Sequence, residues 1–504
     1  MKRFRRFILC VLLLLILAPA YGADRPNILY ILADDLGIGD VSSFNAKSKI
    51  NTPHIDALAK QGMMFTDAHS ASAVCTPTRA GILTGRYPWR TRLKSGVLYG
   101  WSPHLIEPGR LTVASMLRQQ GYATACTGKW HLGMDWANGK ATDGSKYDGA
   151  GIDYSAPIKN GPNSVGFDYY YGIAASLDMP PFIWIENDHV VGTPTATKKW
   201  VRSGPAEKDF EAVNVLPTLT KKAIAYLNER GKAKGQPFFY LPLNAPHTPI
   251  VPTKQWQGKS GLNSYGDFVL EVDNCVGQIL SALDSAGLSD NTLVIFTSDN
   301  GCSPAAGIPV LNEKGHDPSA GYRGHKADIF EGGHRIPFIA RWPGKVKAGS
   351  TSADTICLND LMATAAQITG FKIPPNAGED SVSILPDLLG TATKPVRDGV
   401  IHASINGSLS LRQGNWKLEI CPGSGGWSPP RTPEELKGLP EMQLYDLSSD
   451  PTEQHNLQAE NPEKVQEMIA IVQRYIDEGR STPGAPQKND TPTSIRPKGA
   501  AASE

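Results

Sequence analysis

Cysteine is scarce in this chain: there are seven in 504 residues, and no two are spaced as C-x-x-C. That excludes a disulfide-built scaffold and a zinc finger or ribbon. Excess charge of either sign is also missing, since the formal net charge is +1. A chain so balanced has no broad electrostatic grip on nucleic acid or other polyanions, so an anionic substrate has to be met by a local cationic pocket. Beyond the N-terminus no apolar run approaches the length of about 20 residues that a membrane-spanning helix needs. No internal repeat is found either.

The N-terminus carries a basic patch of Lys2, Arg3, Arg5 and Arg6, an apolar run over residues 7–17, and the small-residue patterns Ala18-Pro19-Ala20 and Tyr21-Gly22-Ala23. This is the layout of a secretory signal peptide over residues 1–23, and the run is too short to favour a retained anchor. The expectation is export to a periplasm or the extracellular space, with no membrane span after signal removal. Loss of four basic residues and no acid takes the net charge from +1 to −3, which further disfavours a nucleic-acid partner. Cys10 leaves with the signal. The remaining six cysteines leave room for one or two bridges without a readable pairing.

Apolar residues make up 40% and charged residues 20%, a globular balance. The length suits one large domain plus a smaller one. Strands are expected over residues 26–33, 123–127, 237–243 and 292–297, and helices over 53–61, 111–120, 219–229 and 268–286. Residues 136–165 read as a loop insertion. Alternation of strand and helix implies an α/β domain over 24–395, with a mostly parallel sheet covered on both faces. After about residue 395 the pattern changes. Short strands are expected over 399–404, 408–413, 415–420 and 442–447. A helix then opens at Asn461 and Pro462 and buries Val465, Met468, Ile469, Val472 and Ile476. This gives a C-terminal α+β subdomain over 396–480. The Pro-, Ser-, Thr- and Lys-rich residues 481–504 are expected to be a disordered tail.

Several residues could carry chemistry. In Cys75-Thr-Pro-Thr-Arg79-Ala-Gly-Ile-Leu-Thr-Gly85, Pro77 suits the first turn of a helix and Gly85 its end. Cys75 would then sit at a helix N-terminus, which favours anions, with Arg79 one turn on. By physics alone, a lone cysteine there reads better as a small buried residue. Asp34-Asp35 and Asp299-Asn300-Gly301 each follow an expected strand. Singly they could be a helix cap and a turn. Together they lie at carboxyl ends of parallel strands, where sites on α/β sheets gather. Three carboxylates and an amide oxygen form a hard cage suited to calcium or magnesium. His131, His247, Lys129 and Lys326 are singly unremarkable, although Lys129 beside Trp130 is an odd place for a solvated charge. Arg90, Arg92 and Lys94 read as a solvated stretch, and Glu331 as structural. The aromatics Tyr99, Trp101, Tyr169, Tyr170, Tyr171 and Trp184 suit sugar stacking or core packing equally, with Asp178 able to bond sugar hydroxyls.

The Cys-x-Pro-(Ser/Thr)-Arg core, extended by Leu83-Thr-Gly-Arg86, resembles the signature of the formylglycine-dependent type I sulfatases of the arylsulfatase A and N-acetylgalactosamine-6-sulfatase kind. Thr78 stands where serine is commoner. Asp34-Asp35, Gly128-Lys-Trp-His-Leu-Gly133, Ala245-Pro-His-Thr-Pro249, Ser298-Asp-Asn-Gly301, Lys326-Ala-Asp-Ile-Phe-Glu-Gly-Gly333 and Leu444-Tyr-Asp-Leu447 match the same family in the same order. The resemblance implies the alkaline phosphatase-like fold: a large mixed, mostly parallel sheet sandwiched by helices, with a smaller C-terminal antiparallel sheet plus helix. It implies that a formylglycine-generating or sulfatase-maturating enzyme oxidises Cys75 to formylglycine. It also implies Ca2+, with Mg2+ as second choice, at Asp34, Asp35, Cys75, Asp299 and Asn300. Arg79, Lys129 and Lys326 would supply positive charge, and Lys129, His247 and Lys326 would contact substrate. The aldehyde hydrate would attack sulfur and form a covalent sulfo-enzyme, with His247 as proton donor to the leaving oxygen and His131 as base for release. The implied substrate is a sulfated galactose or N-acetylgalactosamine unit of a polysaccharide. Two other readings remain: a phosphomonoester or phosphonate-ester hydrolase on the same fold, and a non-catalytic sulfated-glycan-binding protein with Cys75 unconverted.

Overall fold

The computed structural model describes residues 25–140, 148–233 and 235–495. The expected signal peptide over 1–23 and the end of the expected tail, 496–504, lie outside the described residues. The strand Asn27–Asp34 is buried along its whole length. It pairs in parallel with Pro237–Pro246 on one side and Thr292–Ser298 on the other. Ala123–Lys129 and Tyr169–Ile173 extend the parallel set. The ten-stranded sheet is completed at both edges by shorter strands, among them Phe338–Arg341, which runs antiparallel to Thr292–Ser298.

Because side chains alternate along a strand, a central strand feeds two cores. Ile28, Tyr30 and Leu32 join one cluster with Ile82, Leu83, Met116, Leu117 and Met362. Leu29, Ile31 and Ala33 join another with Ile55, Leu58, Leu227, Phe268, Val272 and Ile279. Helices Cys75–Thr84, Val113–Gln119 and Leu361–Thr369 therefore cover one face. Pro53–Gln61, Val215–Lys232 and Ser264–Ser285 cover the other. This is the expected sandwich, and all eight strands and helices foreseen in this part of the chain are present. The short antiparallel edge strands were not foreseen.

The second sheet is antiparallel, in the order Val400–Ala403, Leu409–Gln413, Trp416–Glu419, Gln443–Asp446. Helix Pro462–Asp477 packs on it through Val465, Met468, Val472 and Ile476. The two sheets meet at a polar seam. His402 stacks on His334 with ring centroids 3.7 Å apart, and Glu331 is bonded by Lys417 at 3.2 Å and Arg335 at 2.8 Å. Glu331 is thus buried and structural, as read from the sequence.

Two expectations need correction, and one question left open is answered. The six described cysteines are all free thiols. Arg90 is not solvated: it is fully buried and donates from Nε and Nη2 to Asp380 at 2.7 and 2.8 Å. Arg92 donates to Pro103 O and Lys94 to Trp89 O. Residues 481–495 also depart from the expected disorder. Asp490 pairs with Arg86, Asn489 Oδ1 accepts from Arg90 at 2.9 Å, and Thr493 Oγ1 accepts from Lys94 at 2.7 Å. Composition counts what a segment can bury by itself; it does not see cations elsewhere that supply the missing partners.

Arg90→Ala leaves Asp380 as a buried carboxylate that keeps hydrogen bonds from the Tyr87 N–H and the Ser481 side chain but no charged partner at this position. We expect a loss of about 3–5 kcal/mol in denaturant unfolding; a loss under about 1 kcal/mol would show that Arg90 does not brace this region.

Candidate active site

Adjacent parallel strands end at one place. Asp34 closes Asn27–Asp34, Lys129 closes Ala123–Lys129, Asp299 and Asn300 follow Thr292–Ser298, and His247 follows Pro237–Pro246. Asp35 turns away from its strand at φ 65°, and His131 and Ala327 are also left-handed, at 57° and 81°. Such backbone costs on the order of 1–3 kcal/mol per residue and persists where its surroundings hold it. Gly301 lets this turn approach the short helix Glu331–His334 closely, since a Cβ there would come 1.9 Å from Gly332 O.

Helix Cys75–Thr84 enters from above this edge with all ten residues buried, and Gly85 ends it at φ 63°. Cys75 is its first residue, and Pro77 lies in its first turn. Cys75 Sγ lies 3.6 Å from Asp34 Oδ1 and 3.6 Å from Lys326 Nζ. Lys129 Nζ donates to both Asp34 oxygens at 2.9 and 2.7 Å, and Lys326 Nζ reaches Asp35 Oδ1 at 2.7 Å. Arg79 donates to Asp299 Oδ2 from Nε and Nη2 at 3.0 and 2.8 Å, and to Lys129 O at 2.9 Å. Asn300 Nδ2 donates to Asp35 Oδ1 at 2.8 Å, which leaves the buried Asn300 Oδ1 without a partner. Ligand atoms of Asp34, Asp35, Cys75 and His247 all lie within 4.8 Å of one another.

These charges set one another's protonation. Burial pushes Asp34 up, but Lys129, His247, Arg79 and Lys326 together hold its carboxyl well below the usual range. Burial and the Asp34 charge push Asp299 up, against Arg79 and Lys129. Burial pushes the Cys75 thiol up to about 12 despite Lys129 and Lys326. His131 is driven well below its ordinary value, first by burial and then by Lys129 and Arg79. Its Nε2–H donates to Leu98 O at 2.7 Å, so the neutral ring keeps a bare Nδ1, which has no partner. His247 differs: Nδ1–H donates to Thr248 O at 2.6 Å, and Nε2 faces Asp35 Oδ2 at 3.6 Å. The Nδ1–H bond fixes the ring's orientation and turns Nε2 toward the carboxylates.

A family model described as Sulfatase matches residues 26–371. The chain belongs to the sulfatase family. This sulfatase is 36% identical to the N-acetylgalactosamine-6-O-sulfatase of Bacteroides thetaiotaomicron, over 90% of this chain and 93% of that one. It is 31% identical to human arylsulfatase A, over 88% and 86% of the two chains. It also resembles a solved structure from work on the metabolism of multiple glycosaminoglycans by Bacteroides thetaiotaomicron. That match has a TM-score of 0.79 at 34% identity, over 90% of this chain and 99% of the other. The chain is a sulfuric ester hydrolase with the alkaline phosphatase-like fold.

The structure brings Asp34, Asp35, Cys75, Arg79, Lys129, His247, Asp299, Asn300 and Lys326 into one network, with His131 beside it. Asp178 is outside this network: its Oδ2 accepts from Arg202 at 2.5 Å, while its buried Oδ1 has no partner and is left as an acceptor. Of the aromatics, Tyr170 is fully buried and Tyr171 stacks on Trp184 at 5.2 Å, so these three mainly pack. Sequence reasoning missed the Leu98 carbonyl that orients His131, because a backbone atom carries no residue-type signal. It also missed Arg202, which lies in no recognised motif.

An unconverted Cys75 in the folded sulfatase should resist iodoacetamide at pH 8, since burial keeps it a neutral thiol up to about 12. The peptide around residue 75 should label only after unfolding; fast native labelling, read by mass spectrometry, contradicts this electrostatic account.

Proposed function

We propose that this protein is an exported sulfatase that removes sulfate from a 6-sulfated N-acetylgalactosamine or galactose unit of a polysaccharide, using formylglycine made from Cys75. A formylglycine-generating or sulfatase-maturating enzyme is the implied partner. The observation that carries the reading is the position of Cys75 Sγ, 3.6 Å from both Asp34 Oδ1 and Lys326 Nζ, at the rim of an oxygen cage. The substrate assignment is supported by the 36% identity to the N-acetylgalactosamine-6-O-sulfatase. Export is supported by the basic, apolar and small-residue layout of residues 1–23.

The site fits a hard divalent cation. Asp34, Asp35, Asp299 and Asn300 would hold it, and the buried, unpartnered Asn300 Oδ1 is a ready ligand. Oxygen donors alone favour Ca2+, with Mg2+ second. When bound, the ion supplies positive charge against a sulfate oxygen and acidifies a hydroxyl at position 75. Formylglycine, once hydrated by one water, would supply two geminal hydroxyls, one suited to attack on sulfur and one to release.

The protein's own groups do the rest. Lys129 and Lys326 offset the negative oxygens that repel a nucleophile. Arg79 holds Asp299 and the end of strand Ala123–Lys129 in place. His247, oriented by the bond from Nδ1–H to Thr248 O, delivers a proton from Nε2 to the departing sugar oxygen. His131 is assigned the proton lost during release because its Nδ1 has no partner among the described residues.

Mass spectrometry of protein from its native source should find formylglycine at 75; unmodified cysteine there would favour a binding protein. Cys75→Ala should keep the fold by circular dichroism and lose turnover, and Cys75→Ser should trap a slowly released sulfo-enzyme. Aryl sulfate should be hydrolysed far faster than aryl phosphate, and the reverse order would assign phosphoester chemistry instead. Chelation should abolish activity, with Ca2+ restoring it better than Zn2+.

A further inference from the structure

His131 anchors two loops at the edge of the site. Its Nε2–H donates to Leu98 O at 2.7 Å, and its backbone N–H donates to Ala174 O at 2.9 Å. Leu98 N–H in turn donates to Thr76 Oγ1, next to Cys75, at 3.2 Å. One loop runs on to Tyr99 and the other to Asp178. Arg202 spans the two, with its guanidinium carbon 5.5 Å from the Tyr99 ring centroid and Nη1 donating to Asp178 Oδ2 at 2.5 Å.

Arg202 lies between the paired strands Ala196–Lys199 and Ser203–Ala206, and this hairpin is firmly seated. Trp200 packs edge-on against Phe182 at 4.6 Å, and Ala206 bridges to Phe182. Gly204 lies so close to the Tyr99 loop's neighbours that a Cβ would come 2.3 Å from Pro180 Cβ. A rigid hairpin therefore carries a cation to two loops that both lead back to His131.

The Arg202 side chain is 42% exposed, and a pair that open to water adds little to stability. Only Nη1 of its guanidinium is bonded to a side chain among the described residues. With its carbon 5.5 Å from the Tyr99 ring centroid and Nη1 on Asp178, the guanidinium keeps its other N–H groups for a ligand, and such an edge binds carboxylate or sulfate with two parallel hydrogen bonds.

We propose that Arg202, framed by Tyr99 and Asp178, binds an acidic group on the sugar next to the one being desulfated, so that the enzyme prefers polyanionic oligosaccharides to the sulfated monosaccharide. This rests on the sulfated-glycan reading above. The acidic group is a carboxylate or a second sulfate, which the same fork accepts.

The test compares kcat/KM for 6-sulfated N-acetylgalactosamine alone and for the same unit linked to a uronate, a sulfated hexose or a neutral hexose. Arg202→Gln should cut the preference for a charged disaccharide over the monosaccharide about tenfold, mainly through KM. The neutral disaccharide ratio should move less than about twofold, and Arg202→Lys should recover part of the loss. Whichever charged disaccharide suffers more identifies the group. Unchanged ratios in a wild type that hydrolyses these sugars overturn the subsite alone. A wild type inactive on all four overturns the proposed substrate and the subsite with it.

Discussion

The structure is organised around charge that is buried and matched. Asp34, Asp35 and Asp299 are all buried at the carboxyl edge of the sheet, and Lys129, Lys326 and Arg79 are buried against them. Any one of these charges left alone would cost several kcal/mol, on the order of what the whole fold has to spare. Each element that delivers one of them is therefore tied to the others. The parallel strands have to end in register, and helix Cys75–Thr84 has to present Arg79 to Asp299 while its first residue faces Asp34. A carboxylate-rich pocket with matched cations can receive a divalent ion on one side and an anionic ester on the other. The structure thus carries the two opposite charges that sulfate transfer has to reconcile.

The surroundings of the helix serve the same end. It is buried on every side, so its position is set by neighbours and not by solvent. Its far end is held by Arg86 and Arg90, which pair with Asp490 and Asp380. The backbone of Ala73 bonds both to Ala403 of the second sheet and to Ala327, next to Lys326. The small C-terminal sheet is thus a wall of the same structure, and its join to the catalytic sheet runs two residues from Cys75.

The rim obeys looser rules. There the contacts are exposed, pairs such as Arg202 with Asp178 add little to stability, and residues are free to vary with the molecule being recognised.

Sequence alone determined much of this. Ile- and Leu-rich strand runs, Pro77 with Gly85, and carboxylates placed just after strands are local patterns, and local patterns are legible because neighbouring residues decide them. They were enough for the sandwich and for the helix beginning at Cys75; the site residues were grouped by the family resemblance, since His131, His247, Lys129 and Lys326 singly carry no local signal. What the tertiary structure alone decided are pairings between residues far apart in the chain. Arg79 finds Asp299, Arg90 finds Asp380, Asp178 finds Arg202, and a polar tail finds Arg86. No spacing rule encodes these partners, because each depends on which strands lie side by side. Arg90 read as solvated for one physical reason: whether a charge is buried or matched is a property of its neighbours in space.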